Sequence, residues 1–514
     1  ETHPMVKALP TLSPAASKAM MARLRHPTAR VQTKRAIAEQ LEIDITIDAN
    51  AAPGPRELRI LTKSGLSNPI RFFVGTAPDH VEPMWFLYAP AQTKALTLPV
   101  TIHGQLLPRQ TDRYTFKAQQ GQTLVIQTRA RELVPFMSDS VPGWFQPVIL
   151  LTDTNGKRLA YGDDFRFNPD PTITFTPPAS GEYVLEIRDS IYRGREDFVY
   201  QITIGKQPVV TSMFPLGLKR GTLTHTALEG WNLPTRRIVL DTKRVDPALA
   251  LPQVFSKAIG STSVLYHVDS LLDVRESNVN DTFSASQRLP LGRVINGRIE
   301  RPGDVDVFCF DGKAGQTVVA EITARQLNSP LDSILHLMDA TGKVLAHNDD
   351  NPDAMNIGLK THHADSYLRH TLPRAGTYYL RVSDTRSEGS PAHGYRLRLG
   401  VARPDFQVYM VPSSLTLGAA ERQVVTVHVD RKDGFTGPIQ IDFASKTPGM
   451  EILGNTIPAG ANKVMMVIAG PPRYVNSKNK PGKSKKKDNP IFGRVLPVSF
   501  RASATIDKRP LTRR

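Results

Sequence analysis

The sequence predicts an all-β protein made of tandem antiparallel β-sandwiches, and three observations predict it. Short runs that alternate apolar and polar residues recur along the chain, such as YTFKA at 114–118 and YQITIG at 200–205. Turn sequences such as TNGK, ASGE and ATGK separate these runs, and a long stretch of the chain occurs twice. Alternation with short turns and without long intervening helices is typical of antiparallel sandwiches rather than βαβ units.

The repeat consists of matched segments that keep their order. GQTLVIQTRARELV from Gly121 aligns with GQTVVAEITARQLN from Gly315, and SGEYVLEIRD from Ser180 aligns with AGTYYLRVSD from Ala375. The run ending at Asp164 likewise matches the run ending at Asp350. The sequence therefore predicts two homologous, jelly-roll-type sandwiches over 96–205 and 276–400, the second beginning with an acidic linker.

The rest of the chain is predicted to form smaller units. Residues 1–40 are rich in Ala, Arg, Lys and Gln, which predicts a short helical segment interrupted at Pro27. The alternating run LEIDITID at 41–48 predicts a strand that opens a partial module over 41–80. Further β modules are expected at 206–275 and at 401–514, the latter with a basic loop.

Composition excludes several classes of protein. A length of 514 residues suggests several domains, and no apolar run approaches the roughly 18 residues of a membrane helix. The single cysteine, Cys309, excludes an internal disulfide framework and is expected to be a small buried hydrophobe in VFCF. The sequence contains no GxSxG, HExxH, P-loop or GxGxxG motif, and we therefore expect no catalytic site. A start at Glu1 rather than methionine is expected of a mature or trimmed product.

The positive charge is concentrated at the chain ends. The net charge is +17, and thirteen Lys and Arg against two Asp give residues 473–514 a net charge of +11. The densest run, KNKPGKSKKKD at 478–488, contains no aromatic residue and many turn formers, which predicts a solvated loop rather than a nucleic-acid surface. A candidate role for Lys478–Lys487 is electrostatic contact with an anionic polymer or envelope surface.

Three stretches of the second repeat carry a family resemblance. GRIERPGDVDVFCFDGKAGQTV, SPLDSILHLMDATGKVLAHNDD and AGTYYLRVSD resemble the bacterial pre-peptidase C-terminal (PPC) domain, a small sandwich of secreted proteins. The segments at 45–75 and 208–233 are similar to halves of immunoglobulin-like IPT/TIG modules, and the end of the chain resembles a further immunoglobulin-like sandwich. This arrangement resembles secreted planctomycete-type proteins.

The resemblance implies a secreted, periplasmic or cell-surface bacterial protein that is not an enzyme. It implies a binding or scaffolding role with a protein or polysaccharide partner. Two alternatives remain open: an accessory subunit of an extracellular hydrolase or peptidase, and an array of carbohydrate-binding modules.

The strongest candidate site is a cation site at the start of the second repeat. Oxygen-bearing side chains alternate along ESNVND at 276–281, and two aspartates share one face of GDVDVF at 303–308. The spacing resembles the calcium-binding linker of the collagen-binding domains of clostridial collagenases. That resemblance implies a Ca²⁺ site, and the candidate ligands are Glu276, Asn278, Asn280, Asp281 and Asp306, with Asp304 adjacent. The alternative is a polar linker capped by turn-forming residues.

Two departures from the calcium pattern bear on affinity. Asn278 stands where the pattern has a second glutamate, which lowers the ligand charge. The first repeat keeps only Glu82 and Asp112 of the set, so a site there is expected to be weak or absent.

Other chemistry has less support. Asp163–Asp164 and Asp349–Asp350 recur in both copies and predict Asx turns, with a second cation site as the alternative. His362–His363 is expected in a solvated loop. Large aromatic residues could stack on sugar rings or pack between domains, and these are Trp85, Trp144, Phe165, Tyr192 and Trp231.

Overall fold

The computed structural model describes residues 43–82, 94–133, 145–351, 364–471 and 498–513, apart from gaps at 63–64, 68, 196, 246–251, 260–261, 278, 416, 419, 446–448 and 507. Within these residues, the regular structure is β-strand except for 3₁₀ turns at Arg131–Leu133 and Arg325–Leu327. The all-β prediction is confirmed. The predicted helical segment at 1–40 lies outside the described residues.

The N-terminal unit forms two small sheets. Its strands are β1 (Gly54–Leu58), β2 (Leu61–Thr62), β3 (Gly65–Leu66) and β4 (Ile70–Val74), and β1 pairs with β4 while β2 pairs with β3. The prediction of a strand at 41–48 is wrong for its described part, because residues 43–48 carry no strand and their three isoleucines are exposed. Alternation produces a strand only where a neighbour accepts its backbone hydrogen bonds, and no described strand pairs with this run.

The first repeat is a sandwich of two sheets around one core. Its strands are β5 (Asp79–Val81), β6 (Val100–Gln105), β7 (Asp112–Ala118), β8 (Leu124–Arg129), β9 (Pro147–Asp153), β10 (Arg158–Gly162), β11 (Thr172–Phe175), β12 (Gly181–Asp189) and β13 (Val199–Gly205). The sheet orders are β10-β9-β12-β7 and β11-β8-β13-β6-β5. Apolar residues from the two inner faces, including Ile102, Phe116 and Leu185, fill the space between the sheets.

A spacer with two three-stranded sheets follows. Its strands are β14 (Val209–Phe214), β15 (Gly217–Lys219), β16 (Leu223–Trp231), β17 (Arg237–Asp241), β18 (Gln253–Ile259) and β19 (Thr262–Asp269). The orders are β14-β16-β17 and β15-β19-β18. Its small core includes Leu327 of the second repeat, so the two units pack together.

The second repeat reproduces the topology of the first. Its strands are β20 (Leu272–Arg275), β21 (Gln287–Arg288), β22 (Arg293–Arg298), β23 (Val305–Gly312), β24 (Thr317–Thr323), β25 (Ser333–Met338), β26 (Val344–Asn348), β27 (Tyr367–Thr371), β28 (Gly376–Asp384) and β29 (Gly394–Val401). The orders β20-β22-β29-β24-β27 and β21-β23-β28-β25-β26 match the first repeat strand for strand, with a single parallel bridge from Leu96 to Phe116 in the place of β21.

Each repeat is entered through a parallel strand pair. β5 pairs in parallel with β6, and β20 pairs in parallel with β22. These entry strands precede the predicted boundaries at 96 and 276, so part of each preceding segment belongs to the sheet of the repeat. We call each entry strand, its parallel partner and the glutamate that follows it a joint. Joint 1 comprises β5, β6 and Glu82, and joint 2 comprises β20, β22 and Glu276.

The C-terminal unit is a sandwich of two four-stranded sheets. Its strands are β30 (Asp405–Val411), β31 (Arg422–Lys432), β32 (Ile439–Phe443), β33 (Glu451–Leu453), β34 (Thr456–Ile457), β35 (Lys463–Ala469), β36 (Phe500–Ile506) and β37 (Arg509–Arg513). The orders are β30-β31-β35-β33 and β34-β32-β36-β37. Its core is separate from those of the repeats.

Two arginines of β29 connect the second repeat to its neighbours. Arg396 is buried and pairs with Asp269 of the spacer at 2.8 Å and with Asp273 of β20 at 2.9 Å. Arg398 donates from two nitrogens to Asp433 of the C-terminal unit, each at 2.8 Å. Because ions this well buried are costly to separate, the two arginines hold the three units together.

Candidate metal site at the entry to the second repeat

The site is built where joint 2 meets the inner face of β23. β20 ends at Arg275, and the Arg298 backbone N–H of β22 donates to Glu276 Oε1 at 2.7 Å, which turns this carboxyl toward the sandwich interior. Asp306 shares a face of β23 with Phe308 and Phe310 of the core and is 3% exposed. A buried aspartate and a half-buried glutamate therefore lie at the edge of an apolar core.

A buried tyrosine brings the two carboxyls together. The Tyr395 hydroxyl of β29 donates to Asp306 Oδ2 at 2.6 Å and lies 3.1 Å from Glu276 Oε2. Gly297 makes room for this arrangement, because a Cβ there would lie 2.3 Å from both the Tyr395 hydroxyl and Glu276 Oε2. Only glycine allows the ring to cross β22 at this point.

The electrostatics of the pair favour a positive partner. Burial, reinforced by the negative charge of Asp306, raises the pKa of Glu276 well above its ordinary range. Burial also raises the pKa of Asp306, and its hydrogen bonds with Tyr395 and Glu276 only partly offset this. Two carboxyls in this position share a proton unless a cation neutralises them.

Asn280 adds an unused oxygen to the same region. The Val307 N–H donates to the Asn280 backbone oxygen at 2.8 Å, which holds the linker against β23. The Asn280 side chain is fully buried, and neither its oxygen nor its nitrogen has a hydrogen-bond partner among the described residues. A buried amide without partners costs free energy, and a bound oxygen-seeking cation would remove that cost at Oδ1.

The other predicted ligands have different partners. Asp304 accepts from the Glu300 N–H at 2.6 Å, while Asp281 pairs with Arg301 at 2.5 Å. Asn278 lies outside the described residues. Across the described part of the chain, no group of three or more His, Cys, Asp or Glu side chains is arranged to hold a metal ion. The residues that do converge are thus Glu276 and Asp306, which meet at the Tyr395 hydroxyl, while Asn280 lies beside β23 through its backbone bond to Val307. Carboxylate and amide oxygens are of the kind that suits calcium.

The sequence did not predict three residues, two of them in this site and one at the matching position of the first repeat. Tyr395 and Gly297 were not predicted, although YRLRLG at 395–400 aligns with YQITIG at 200–205 and so matches Tyr395 with Tyr200. In the first repeat Tyr200 donates to Asp112 at 2.7 Å, and a Cβ on Gly104 would lie 2.3 Å from its hydroxyl. The third residue is Gln110, which occupies the position of Asp304 and bonds to Asp112 at 2.6 Å.

Comparison with known proteins identifies part of the second repeat. Residues 304–384 match the profile of the family described as the bacterial pre-peptidase C-terminal domain. The chain contains a PPC domain. A stretch of 107 residues, 20% of this chain, is 38% identical to a probable subtilase-type serine protease of Deinococcus radiodurans. The chain spans 13% of the length of that protease, so the likeness is confined to a small part of it.

Two solved structures show weak overall likeness. The pre-peptidase C-terminal domain of a collagenase from Bacillus anthracis is 18% identical, with a TM-score of 0.17, and the match covers 22% of this chain and 96% of that one. The M60 catalytic domain with the CBM51-1 and CBM51-2 domains from Clostridium perfringens ZmpB is 9% identical, with a TM-score of 0.16, over 58% of this chain and 34% of that one. Neither likeness extends the assignment beyond the PPC domain.

The aromatic candidates divide into two groups. Phe165 packs on Trp231 of the spacer with ring centroids 5.7 Å apart, which is inter-domain packing. The loop between β10 and β11, which carries Phe165, also reaches the PPC domain, where Arg166 donates to the Asn328 carbonyl at 2.8 Å. Tyr192 is 52% exposed under the Arg188 guanidinium, and Trp85 and Trp144 lie outside the described residues. Among the described candidates, Tyr192 alone is placed to meet a sugar.

The remaining candidates do not form a second site among the described residues. The Asp163 backbone oxygen accepts from Gln146, and the Asp350 backbone oxygen accepts from Asn348. Cys309 is buried. His362–His363 and Lys478–Lys487 lie outside the described residues. No helix within the described ranges is long and apolar enough to cross a membrane.

Proposed function

We propose that this chain is a non-catalytic binding and scaffolding protein, secreted or held at a bacterial cell surface, in which calcium stiffens the entry to the PPC domain. The PPC domain and the protease relative fit an accessory or binding role. The observation that carries the calcium part is the meeting of Glu276 and Asp306 at the Tyr395 hydroxyl of joint 2. The Asn280 side chain, buried beside β23 and without a partner among the described residues, supports it.

Calcium would bind joint 2 only in its folded state. Glu276, Asn280 and Asp306 would hold it, while Tyr395 orients the carboxyls and Gly297 leaves space for the ring. When bound, the cation supplies the positive charge that the carboxyl pair lacks. Since an unfolded linker cannot bring these groups together, binding stabilises the native joint by mass action.

Thermal unfolding in calcium and in chelator tests this proposal. Calcium at about a hundred times its Kd contributes about 2.7 kcal/mol, so we expect the wild-type midpoint to rise by several degrees. Glu276→Gln is expected to lose this rise, and the matched variant Glu82→Gln in the first repeat should keep it. Coincident wild-type melts with and without calcium, together with no heat of binding in titration calorimetry, would contradict a calcium site.

A second candidate is an accessory subunit of an extracellular peptidase. The supporting observation is the likeness to the subtilase-type protease. Cross-linking of the intact chain in culture medium, followed by mass spectrometry, should then recover a hydrolase. Recovery of wall polymer without a hydrolase would instead favour the scaffold.

Two finer features belong to the same proposal. The IPT/TIG-like segments would act as spacers, and Lys478–Lys487 would contact an anionic polymer at the cell surface. If the chain is instead an array of carbohydrate-binding modules, glycan-array binding should fall on Tyr192→Ala, because that ring is exposed.

A further inference from the structure

Joint 1 has the same construction as joint 2. The Gln105 backbone N–H donates to Glu82 Oε2 at 3.2 Å, as the Arg298 N–H does to Glu276. The Glu82 N–H donates to the His103 carbonyl at 2.8 Å, and the Glu276 N–H donates to the Asn296 carbonyl at 3.1 Å. Each repeat thus brings the glutamate of its joint to a buried aspartate and tyrosine.

The joints differ in what lies between the carboxyls. In joint 1 the Gln110 side-chain nitrogen donates to Asp112 Oδ1 at 2.6 Å and reaches Glu82 Oε1 at 3.5 Å. The Gln110 oxygen accepts from the Leu107 N–H at 3.1 Å, so the amide is held with its two hydrogens toward the carboxyls. The matching residue in joint 2 is Asp304, which has no hydrogen to donate when ionised.

A further donor strengthens joint 1. The Tyr114 hydroxyl lies 2.6 Å from the Tyr200 hydroxyl, which itself donates to Asp112, so the donors form a chain that ends on the aspartate. Phe308 is the matching residue in joint 2 and carries no hydroxyl. Burial still raises the pKa of Asp112 to about 6, but near neutral pH its carboxylate is matched by donors on both oxygens.

We propose that Gln110 is a positioning residue that makes joint 1 independent of cations. Its amide hydrogens bridge Glu82 to Asp112 of β7 and so anchor the end of β5, which pairs with β6, at all calcium concentrations. Among its described residues, joint 2 has no such bridge. The contrast with joint 2 rests on the proposed calcium site; the role of Gln110 in joint 1 does not.

Hydrogen exchange of the full chain, followed by mass spectrometry, tests the role of Gln110. The reporters are the amides of Thr101 and Glu82 for joint 1, the amide of Glu276 for joint 2, and β12 for the stability of the first repeat as a whole. Gln110→Glu keeps the size of the side chain and the acceptor for Leu107 but removes both hydrogens. We expect exchange at joint 1 to speed up about ten- to a hundredfold, the range for a lost hydrogen bond to a charged group, with a much smaller change in β12.

Three further variants define the result. Gln110→Lys places an ammonium beside the carboxyls and should restore most of the protection. Gln110→Ala should resemble Gln110→Glu, and Gln119→Ala, an exposed glutamine of the same repeat, should match the wild type. If Gln110→Glu leaves joint 1 as protected as in the wild type, or if Gln110→Lys is no better than Gln110→Ala, the role of Gln110 is refuted.

The calcium arm separates this inference from the proposed function. In the wild type, calcium should slow exchange at Glu276 and leave Glu82 and Thr101 unchanged. Calcium protection of joint 1 would overturn its independence from cations. Absence of calcium protection at joint 2 would overturn the proposed calcium site, and the Gln110 variants would still decide the role of Gln110.

Discussion

The two repeats share a strand order and a pair made of a buried aspartate and a half-buried glutamate, but they compensate for the charge of that pair in different ways. In the first repeat, Gln110 donates to Asp112 and reaches Glu82, and Tyr200, itself bonded to Tyr114, donates to Asp112. In the second, Tyr395 is the only side-chain donor to the pair among the residues that the structure describes, and the buried Asn280 side chain has no partner among them. A duplicated fold can therefore keep the same acidic pair and change the group that compensates for its charge, because the surrounding strands stay the same.

The repeats also differ in a buried arginine beside the joint, and replacing that arginine should have the largest effect on stability. Arg396 of the second repeat aligns with Gln201 of the first, which only accepts from Arg129 at 3.1 Å. Arg396→Gln leaves Asp269 and Asp273 without their buried partner. We expect a loss of about 3–5 kcal/mol in the free energy of unfolding, measured by denaturant titration.

The matched change in the first repeat provides the control. Gln201→Ala removes one hydrogen bond and should cost about 1 kcal/mol. Equal losses in the two variants would show that Arg396 contributes no more than its neutral counterpart, and the comparison between the joints would then lose its electrostatic basis.

Most of the sandwich fold could be predicted from the sequence, because burial of one sheet face imposes alternation on every strand. The run PVILLTD, for example, is β9 at Pro147–Asp153. The same rule failed at 43–48, where the alternation is present but no described strand pairs with it. Alternation reports which side of a strand is apolar and contains no information on whether a partner strand exists.

The candidate site could be predicted only in part. Glu276 and Asp306 were found from spacing, because their positions follow from a strand end and a strand face. Asp281 was expected in the same cluster, but Arg301, twenty residues along the chain, is its partner. Tyr395 lies opposite Gly297 on the neighbouring strand and reaches Asp306 in the other sheet, and contacts between strands so far apart in sequence leave no local pattern.

Replacing the buried aspartate by asparagine should have opposite effects in the two repeats. In chelator, Asp306→Asn removes one of two adjacent carboxyls and gives Glu276 a donor, so we expect stabilisation by about 1 kcal/mol and loss of the calcium response. Asp112→Asn places an amide where Gln110 and Tyr200 already donate, so we expect destabilisation of similar size. Melts of both variants in chelator measure the two signs, and equal signs would show that the two pairs are compensated in the same way.

The smallest expected effect concerns Arg301, which pairs with Asp281 and would compete with a cation for that carboxylate. Arg301 is 65% exposed, pairs with Asp281 and lies 3.7 Å from Asp304, so its positive charge competes with a cation for these two candidate ligands. Arg301→Gln should free both carboxylates and raise calcium affinity, by no more than about fivefold because exposed ion pairs contribute about 1 kcal/mol or less.

Arg113→Gln, which breaks the exposed pair with Glu186 in the first repeat, is the matched control and should leave the affinity unchanged in titration calorimetry. Weaker binding in Arg301→Gln would mean that Arg301 orders the linker for binding instead of competing with the cation.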